Sequence, residues 1–143
     1  MKPPLEGVKV VDVSRYLAGP YCTMMLGDMG AEVIKIERPG SGDESRQFAP
    51  FWKGESCFFL SVNRNKKSLT LDIKKEAGRE IFLELVRGAD VLVENFRPGV
   101  TRKLGIDYET LSRENPRLIY CSMTGYGSVG PAKDRPAFDL LVQ

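Results

Sequence analysis

Cations recur just past the β-rich runs of this chain, and that spacing is the first chemistry it suggests. Ser14-Arg15-Tyr16 follows VKVVDV, Glu37-Arg38 closes EVIKIE, and Asp72-Ile73-Lys74 closes SLTLDI. Asn95-Phe96-Arg97 ends DVLVENF, Lys103 stands shortly after, and Gly125-Tyr126-Gly127 follows the last run. Arginine and lysine gathered at strand ends suit an anionic ligand such as a phosphate ester. Taken singly, each is more simply a solvated loop charge; their recurrence at strand ends is what points to a ligand.

Other chemistries lose their usual participants. The chain has no histidine, which removes the Ser-His-Asp triad, the His-paired cysteine and most zinc sites, and no metal is expected. Cys22, Cys57 and Cys121 are odd in number and lack metal-type spacing, so they read as reduced thiols packed in a core. Catalysis must then rest on carboxylates, lysines, backbone amides or a group outside the chain. Gly19, Gly27 and Gly30 do not form G-x-G-x-x-G, and there is no Walker A sequence. An NAD enzyme is therefore weakly supported, although Glu37-Arg38 could serve a ribose or a phosphate beside it.

The elements that must position these residues start with residues 8–38. VKVVDV (8–13) reads as a strand. Residues 17–30 read as a turn and helix, with Pro20 in the first turn and Gly30 at the end. Cys22, Met25, Leu26 and Met29 recur at helical spacing and predict its apolar stripe. EVIKIE (32–37) alternates and predicts the second strand, stopped by Arg38-Pro39-Gly40. This β-α-β unit implies a parallel sheet with right-handed crossovers. Residues 39–54 (PGSGDESRQFAPFWKG) read as a long loop, either binding surface or lid, or plain connection. CFFLSV (57–62) is a short buried strand or helix piece, and SLTLDI (68–73) the next strand. Residues 74–88 predict an amphipathic helix with Ile81, Phe82, Leu85 and Val86 inward, ended by Gly88. Then follow a strand at 90–96, a helical turn from Val100 and a helix from near Asp107 anchored by Tyr108 and Leu111. A strand at 117–124, a glycine-rich loop at 125–136 and a helix from Ala137 complete the pattern. The expectation is an α/β fold: an open, mostly parallel sheet with helices on both faces.

At 143 residues the chain is long enough for one domain, and a net charge of +2 is too small to argue for nucleic acid or a membrane surface. No apolar run approaches the ~20 residues that span a bilayer. MKPPLEG lacks a hydrophobic signal core, so an intracellular protein is expected.

Three clusters carry a resemblance. Residues 5–46 (with AGP, LGDMGAEVIKIE and RPGSGD), SVNRNKKSLTLDIK (61–74) and residues 90–131 (with VENFRPG, LG and SMTGYGSVGP) resemble the family III CoA-transferases over essentially the whole chain. The resemblance implies a Rossmann-like CoA-binding large domain of which residues 1–143 are the N-terminal part, cut off at its C-terminal end. It implies an interlocked homodimer; the expected address, from the missing signal core, is cytoplasmic, or mitochondrial in a eukaryote. Such an enzyme moves coenzyme A between an acyl-CoA and a free carboxylic acid, with coenzyme A as substrate and no permanently bound cofactor. It places Leu17, Ala18, Arg38, Leu71, Asp72, Ile73, Lys74, Asn95, Phe96, Arg97 and Lys103 at the coenzyme A site. Lys103 stands where related transferases carry arginine. Some members carry a lysine where Pro136 stands here, with Arg135 beside it as the substitute. The nucleophile implied is an aspartate beyond Gln143; Asp139 is not that residue, and the chain by itself is expected to be inactive. Two alternatives stay open. An α-methylacyl-CoA racemase of the same fold uses a histidine where Phe138 stands, and a phenyl ring cannot exchange a proton. The other is an inert CoA- or nucleotide-binding fragment.

Overall fold

The computed structural model describes residues 1–137 and residue 141. Five strands form one parallel sheet: β1 (Lys9–Asp12), β2 (Glu32–Glu37), β5 (Lys66–Thr70), β6 (Val91–Glu94) and β7 (Ile119–Ser122). Their order across the sheet is β5-β2-β1-β6-β7, so the chain works outward from β1 in one direction and then restarts on its other side at β6. Between them run α1 (Ala18–Asp28), a 3-10 turn (Glu44–Gln47), a hairpin of β3 (Phe51–Trp52) and β4 (Glu55–Ser56), and α2 (Cys57–Val62). Helices α3 (Glu76–Arg87), α4 (Val100–Leu104) and α5 (Tyr108–Glu114) complete the described elements. Because every pairing in the five-stranded sheet is parallel, all its carboxyl ends lie along one rim.

Period-two alternation gives the sheet two different faces. Val11, Val13 and Leu92 point to one side, where Phe82, Val86, Ile106, Leu111 and Leu118 close an apolar core. Phe82, Val86, Leu92, Ile106 and Leu111 are fully buried there. Val10, Val33 and Val93 point to the other side, under Ala31 and Leu26. Towards the rim that second face turns polar. Asp12, Lys35 and Glu37 continue the Val10 and Val33 rows and are at most 4% exposed.

This polarity explains a correction. The predicted stripe of α1 is only partly its inner face: Leu26 packs against the second apolar core and Cys22 is half-buried, but Met25 is 47% and Met29 38% exposed, while Gly19, Pro20, Thr23 and Met24 are buried. At its start the helix lies over the polar half of the sheet, so its inner face there is chosen by close approach at Gly19 and by a hydroxyl at Thr23, which counting apolar residues does not detect. Gly30 does end the helix in the left-handed region, at φ 99°.

Other boundaries shift for local reasons. β5 runs from Lys66 to Thr70, starting two residues earlier and ending three earlier than predicted, because its backbone pairs with β2 from Val33 to Glu37. Residues 39–54 are not featureless. Asp43 caps the 3-10 turn by accepting from the Ser45 N–H, and Lys53-Gly54 form a two-residue hairpin loop with both φ positive. Residues 57–62 are helix, capped by Ser56. In α3 the buried line is Gly78, Phe82, Val86 at i, i+4, which leaves Ile81 at the helix margin, 47% exposed. Tyr108 is exposed beside the buried Leu111. The helix predicted from Ala137 falls largely outside the described residues. Among those that are described, no helix is long and apolar enough to cross a membrane.

Candidate functional site

In an open parallel sheet the crevice forms where the strand order reverses, outside the carboxyl ends. Here that point lies between β1 and β6, and a cleft of about 380 Å³ sits at it. Its walls are Tyr16, Leu17 and Ala18 from the β1–α1 turn, and Asn95, Phe96, Arg97 and Pro98 after β6. Met123, Thr124 and Gly125 after β7 and Arg135, Pro136 and Ala137 complete the lining. Two arginines and several apolar residues thus line one opening.

Beneath this cleft is a buried ionic network. Asp12 Oδ1 accepts the Ser14 N–H and hydroxyl, and its Oδ2 accepts from Thr23 Oγ1 at 2.6 Å and Lys66 Nζ at 3.0 Å. Lys66 Nζ also donates to Pro20 O and Asn63 Oδ1. Lys35 Nζ donates to Ser14 O at 2.9 Å and lies 2.9 Å from Asp43 Oδ2. Burial pulls the Lys66 ammonium below its usual range, against the Asp12 carboxylate that restores part of it. For Asp43, burial pushes up, and Lys35 with Ser45 outweighs it, leaving the carboxyl lowered. Charged residues with this many partners can stay ionised inside a fold.

Glu37 anchors the next loop. It accepts from Arg46 Nε and Nη2, both at 2.7 Å, from Ser68 Oγ at 2.7 Å and from the Asp43 N–H at 3.0 Å. The Arg46 guanidinium also lies over the Phe59 ring at 3.7 Å. Burial alone would raise this carboxyl; Arg46, Ser68 and the Asp43 N–H overcome that and bring it from 4.5 to about 2. A folded-state pKa below the unfolded value stabilises above the unfolded value and is lost as pH falls through the folded one. The urea midpoint of wild type should therefore decline as pH goes from about 4.5 to about 2. Glu37→Gln should flatten that part of the profile; an unchanged slope would remove Glu37 as its source.

On the other side of the cleft, Glu94 is 3% exposed and accepts the Phe96 N–H at 2.8 Å. Burial raises its carboxyl, with Ser122 and that N–H opposing. Burial likewise raises the Tyr120 hydroxyl, helped by the nearby Glu94 charge.

The expected site residues do not all meet. Leu17, Ala18, Asn95, Phe96, Arg97 and Arg135 share the cleft. Arg38 follows β2, one strand from β1, where its guanidinium pairs with Glu44 Oε1 at 2.6 Å. Arg15 reaches the same oxygen at 3.1 Å and stacks over the Phe96 ring. Leu71, Asp72, Ile73 and Lys74 lie beyond β5, two strands from β1; Leu71 and Ile73 pack against the apolar core and Lys74 is exposed. Lys103 sits exposed in the last turn of α4. These residues share the carboxyl rim, but only Arg97 and Arg135 bring positive charge into the cleft lining. The sequence reading overlooked Asp12, Lys35, Asp43 and Lys66. For Asp12 and Lys35 a signal was present, a charge set among valines and isoleucines in VVDV and VIKIE; Asp43 and Lys66, in polar stretches, carried none.

The sequence profile described as CoA-transferase family III matches residues 5–143. The chain belongs to that family. It is 51% identical over 142 residues to an acetyl-CoA:oxalate CoA-transferase of Acetobacter aceti, covering 99% of this chain and 36% of that protein. Over 139 residues it is 53% identical to the human succinyl-CoA:glutarate CoA-transferase, covering 96% and 32%. A crystal structure of a CAIB/BAIF family protein from Brucella suis superposes with a TM-score of 0.92 at 45% identity, covering 98% of this chain and 38% of that one. The chain thus spans about a third of the length of the family III relatives it matches.

Proposed function

We propose that the full-length protein is a CoA-transferase that moves coenzyme A from an acyl-CoA to a free carboxylic acid, with the cleft at the β1/β6 crossing as part of its coenzyme A site. The observation that carries the reading is the convergence of Arg97 and Arg135 with Leu17, Ala18 and Phe96 at that crossing, in a chain of this family. The two guanidinium groups offer paired donors to phosphate oxygens, and the apolar wall suits the uncharged part of the carrier. Lys74 and Lys103, exposed outside the cleft, would add positive charge for the rest of the carrier, whereas Arg38 would first have to leave Glu44.

The chemistry proposed is covalent catalysis by an aspartate beyond Gln143. Its carboxylate attacks the thioester carbonyl, the C–S bond breaks, and a mixed anhydride and coenzyme A thiolate result. The thiolate then attacks the aspartyl carbonyl and expels the donor acid, leaving an aspartyl-CoA thioester. The acceptor carboxylate attacks that thioester, again releasing thiolate, which takes the acceptor acyl group and frees the aspartate. Every intermediate is an activated acyl group, so no step needs histidine.

The test uses full-length protein with acetyl-CoA and succinyl-CoA as donors and oxalate and glutarate as acceptors, the acids that the relatives' names carry. Exchange is expected, and Arg97→Ala should raise KM for the acyl-CoA about tenfold, the loss of one charge-assisted bond. Binding of coenzyme A without exchange under any acid tried would favour a binding module. Loss of the α-hydrogen of a 2-methylacyl-CoA in deuterium oxide would favour the racemase, against the Phe138 argument; Phe138 lies outside the described residues.

A further inference from the structure

Strands β1 and β6 stay paired by backbone bonds up to the Val13 N–H and Val93 O, 3.0 Å apart. Past that point no backbone bond joins the two segments among the described residues, and the residues that follow each strand line the cleft. The side chain of Asn95 bridges the gap. Its Oδ1 accepts the Arg15 N–H at 2.8 Å and its Nδ2 donates to Arg15 O at 2.7 Å. One carboxamide thus reproduces the donor and acceptor of a missing strand residue.

The turn it holds needs holding. Tyr16 is left-handed at φ 65°, an uncommon state for a bulky residue. Its neighbours are pinned from three other directions: Ser14 N by Asp12, Ser14 O by Lys35, and Tyr16 N by Asp43 Oδ1 at 3.3 Å. Of these anchors, only Asn95 belongs to the opposite wall of the cleft.

We propose that Asn95 is a positioning residue: its carboxamide clips the β1–α1 turn to the β6 wall and sets the distance between the two walls that receive coenzyme A. This revises the family resemblance, which placed Asn95 among the ligand contacts; Phe96 and Arg97 then face the ligand from that segment. The proposal rests on the coenzyme A reading of the cleft for its consequence, but the clip itself is a property of the ligand-free protein.

The experiment takes full-length wild type, Asn95→Ala and Asn95→Asp. Amide hydrogen exchange over residues 13–18 is read without ligand, and free coenzyme A is titrated by calorimetry across pH 4 to 8, the window above the ordinary carboxyl value of about 3.9 into which burial moves an aspartate. In Asn95→Ala, exchange at Arg15 should quicken about tenfold with the strands β2 and β6 unchanged, and coenzyme A should bind about tenfold more weakly, the loss of two neutral hydrogen bonds. In Asn95→Asp the ionised carboxylate opposes Arg15 O, and affinity should match the alanine variant at high pH. Once protonated, the new carboxyl can donate to Arg15 O, so affinity should recover towards wild type as pH falls. The charged groups of the surrounding segments, Asp12, Arg15, Lys35, Asp43, Glu44, Glu94 and Arg97, are common to all three proteins, so wild type over the same range is the reference.

Unchanged exchange at residues 13–18 in ligand-free Asn95→Ala would overturn the clip, and weakened binding alongside it would restore a direct ligand contact. Exchange rising throughout the sheet in both variants, with no pH recovery, would reduce Asn95 to general structural support and also overturn it. Failure of wild type to bind coenzyme A would sink the proposed function, while the exchange measurement still decides the clip.

Discussion

Lys35→Met should destabilise the protein by about 3–5 kcal/mol, the range for removing one partner of a buried ion pair. The side chain is 2% exposed, and its ammonium serves both Asp43 Oδ2 and Ser14 O. Methionine fills most of the volume, so the loss is electrostatic. Asp43 is left without its cation, and a buried carbonyl without its donor. Lys66 cannot substitute, since its ammonium already serves Asp12, Pro20 O and Asn63. A loss of that size is a large share of the total stability of an ordinary domain, so part of the population should unfold at room temperature. Lys67→Met is the control: that side chain is 72% exposed, its bond to Glu32 Oε1 is a surface pair, and its effect should stay below about 1 kcal/mol. Urea denaturation of both variants checks the contrast, and comparable midpoints would show that the network contributes little.

Gly19→Ala should have the second large effect, on stability and binding together. A methyl there would fall inside the van der Waals envelope of Ser14 Cβ and Oγ and come 3.4 Å from Asn95 Cγ. Ser14 cannot step aside, because Asp12 holds its N–H and hydroxyl and Lys35 its carbonyl. The start of α1 must move instead, and α1 starts at Ala18, a wall of the cleft. Overpacking of this kind costs about 1–3 kcal/mol, occasionally more. We expect a lowered melting temperature with coenzyme A affinity reduced about tenfold, a larger loss than the stability change alone would produce under folded conditions. Gly88→Ala, which would meet nothing nearer than 3.8 Å, should leave both unchanged. Full coenzyme A affinity in a folded Gly19→Ala protein would detach the turn from the site.

Much of the architecture was legible in the sequence. The β-α-β reading of residues 8–38 led to a parallel sheet, because a helix of that length between two strands leaves few other connections. The positions of Gly30 and Gly88 marked helix ends correctly, as left-handed and C-cap residues respectively. The predicted rim also exists, since parallel strands put all their carboxyl ends on one side. The inner face of α1 was legible only in part: Leu26 meets Val10 and Val33 as apolar spacing expects, but nearer the rim the sheet beneath carries Asp12, Lys35 and Lys66, and there Gly19 and Thr23 face inward instead. The hairpin at Lys53-Gly54 was not legible, because lysine is not a residue that normally announces a two-residue turn of this hand.

The amino-acid order by itself determined the alternation of strands and helices, and the family motifs from AGP to SMTGYGSVGP, because both are local and repeat at fixed spacing. Only the tertiary structure decided which cations share a cleft. Arg38 and Arg97 look alike as residues after strands, yet one closes on Glu44 and the other lines the crossing of β1 and β6. That difference follows from strand order across the sheet, a long-range property that places residues 80 positions apart, such as Arg15 and Asn95, within a hydrogen bond of each other.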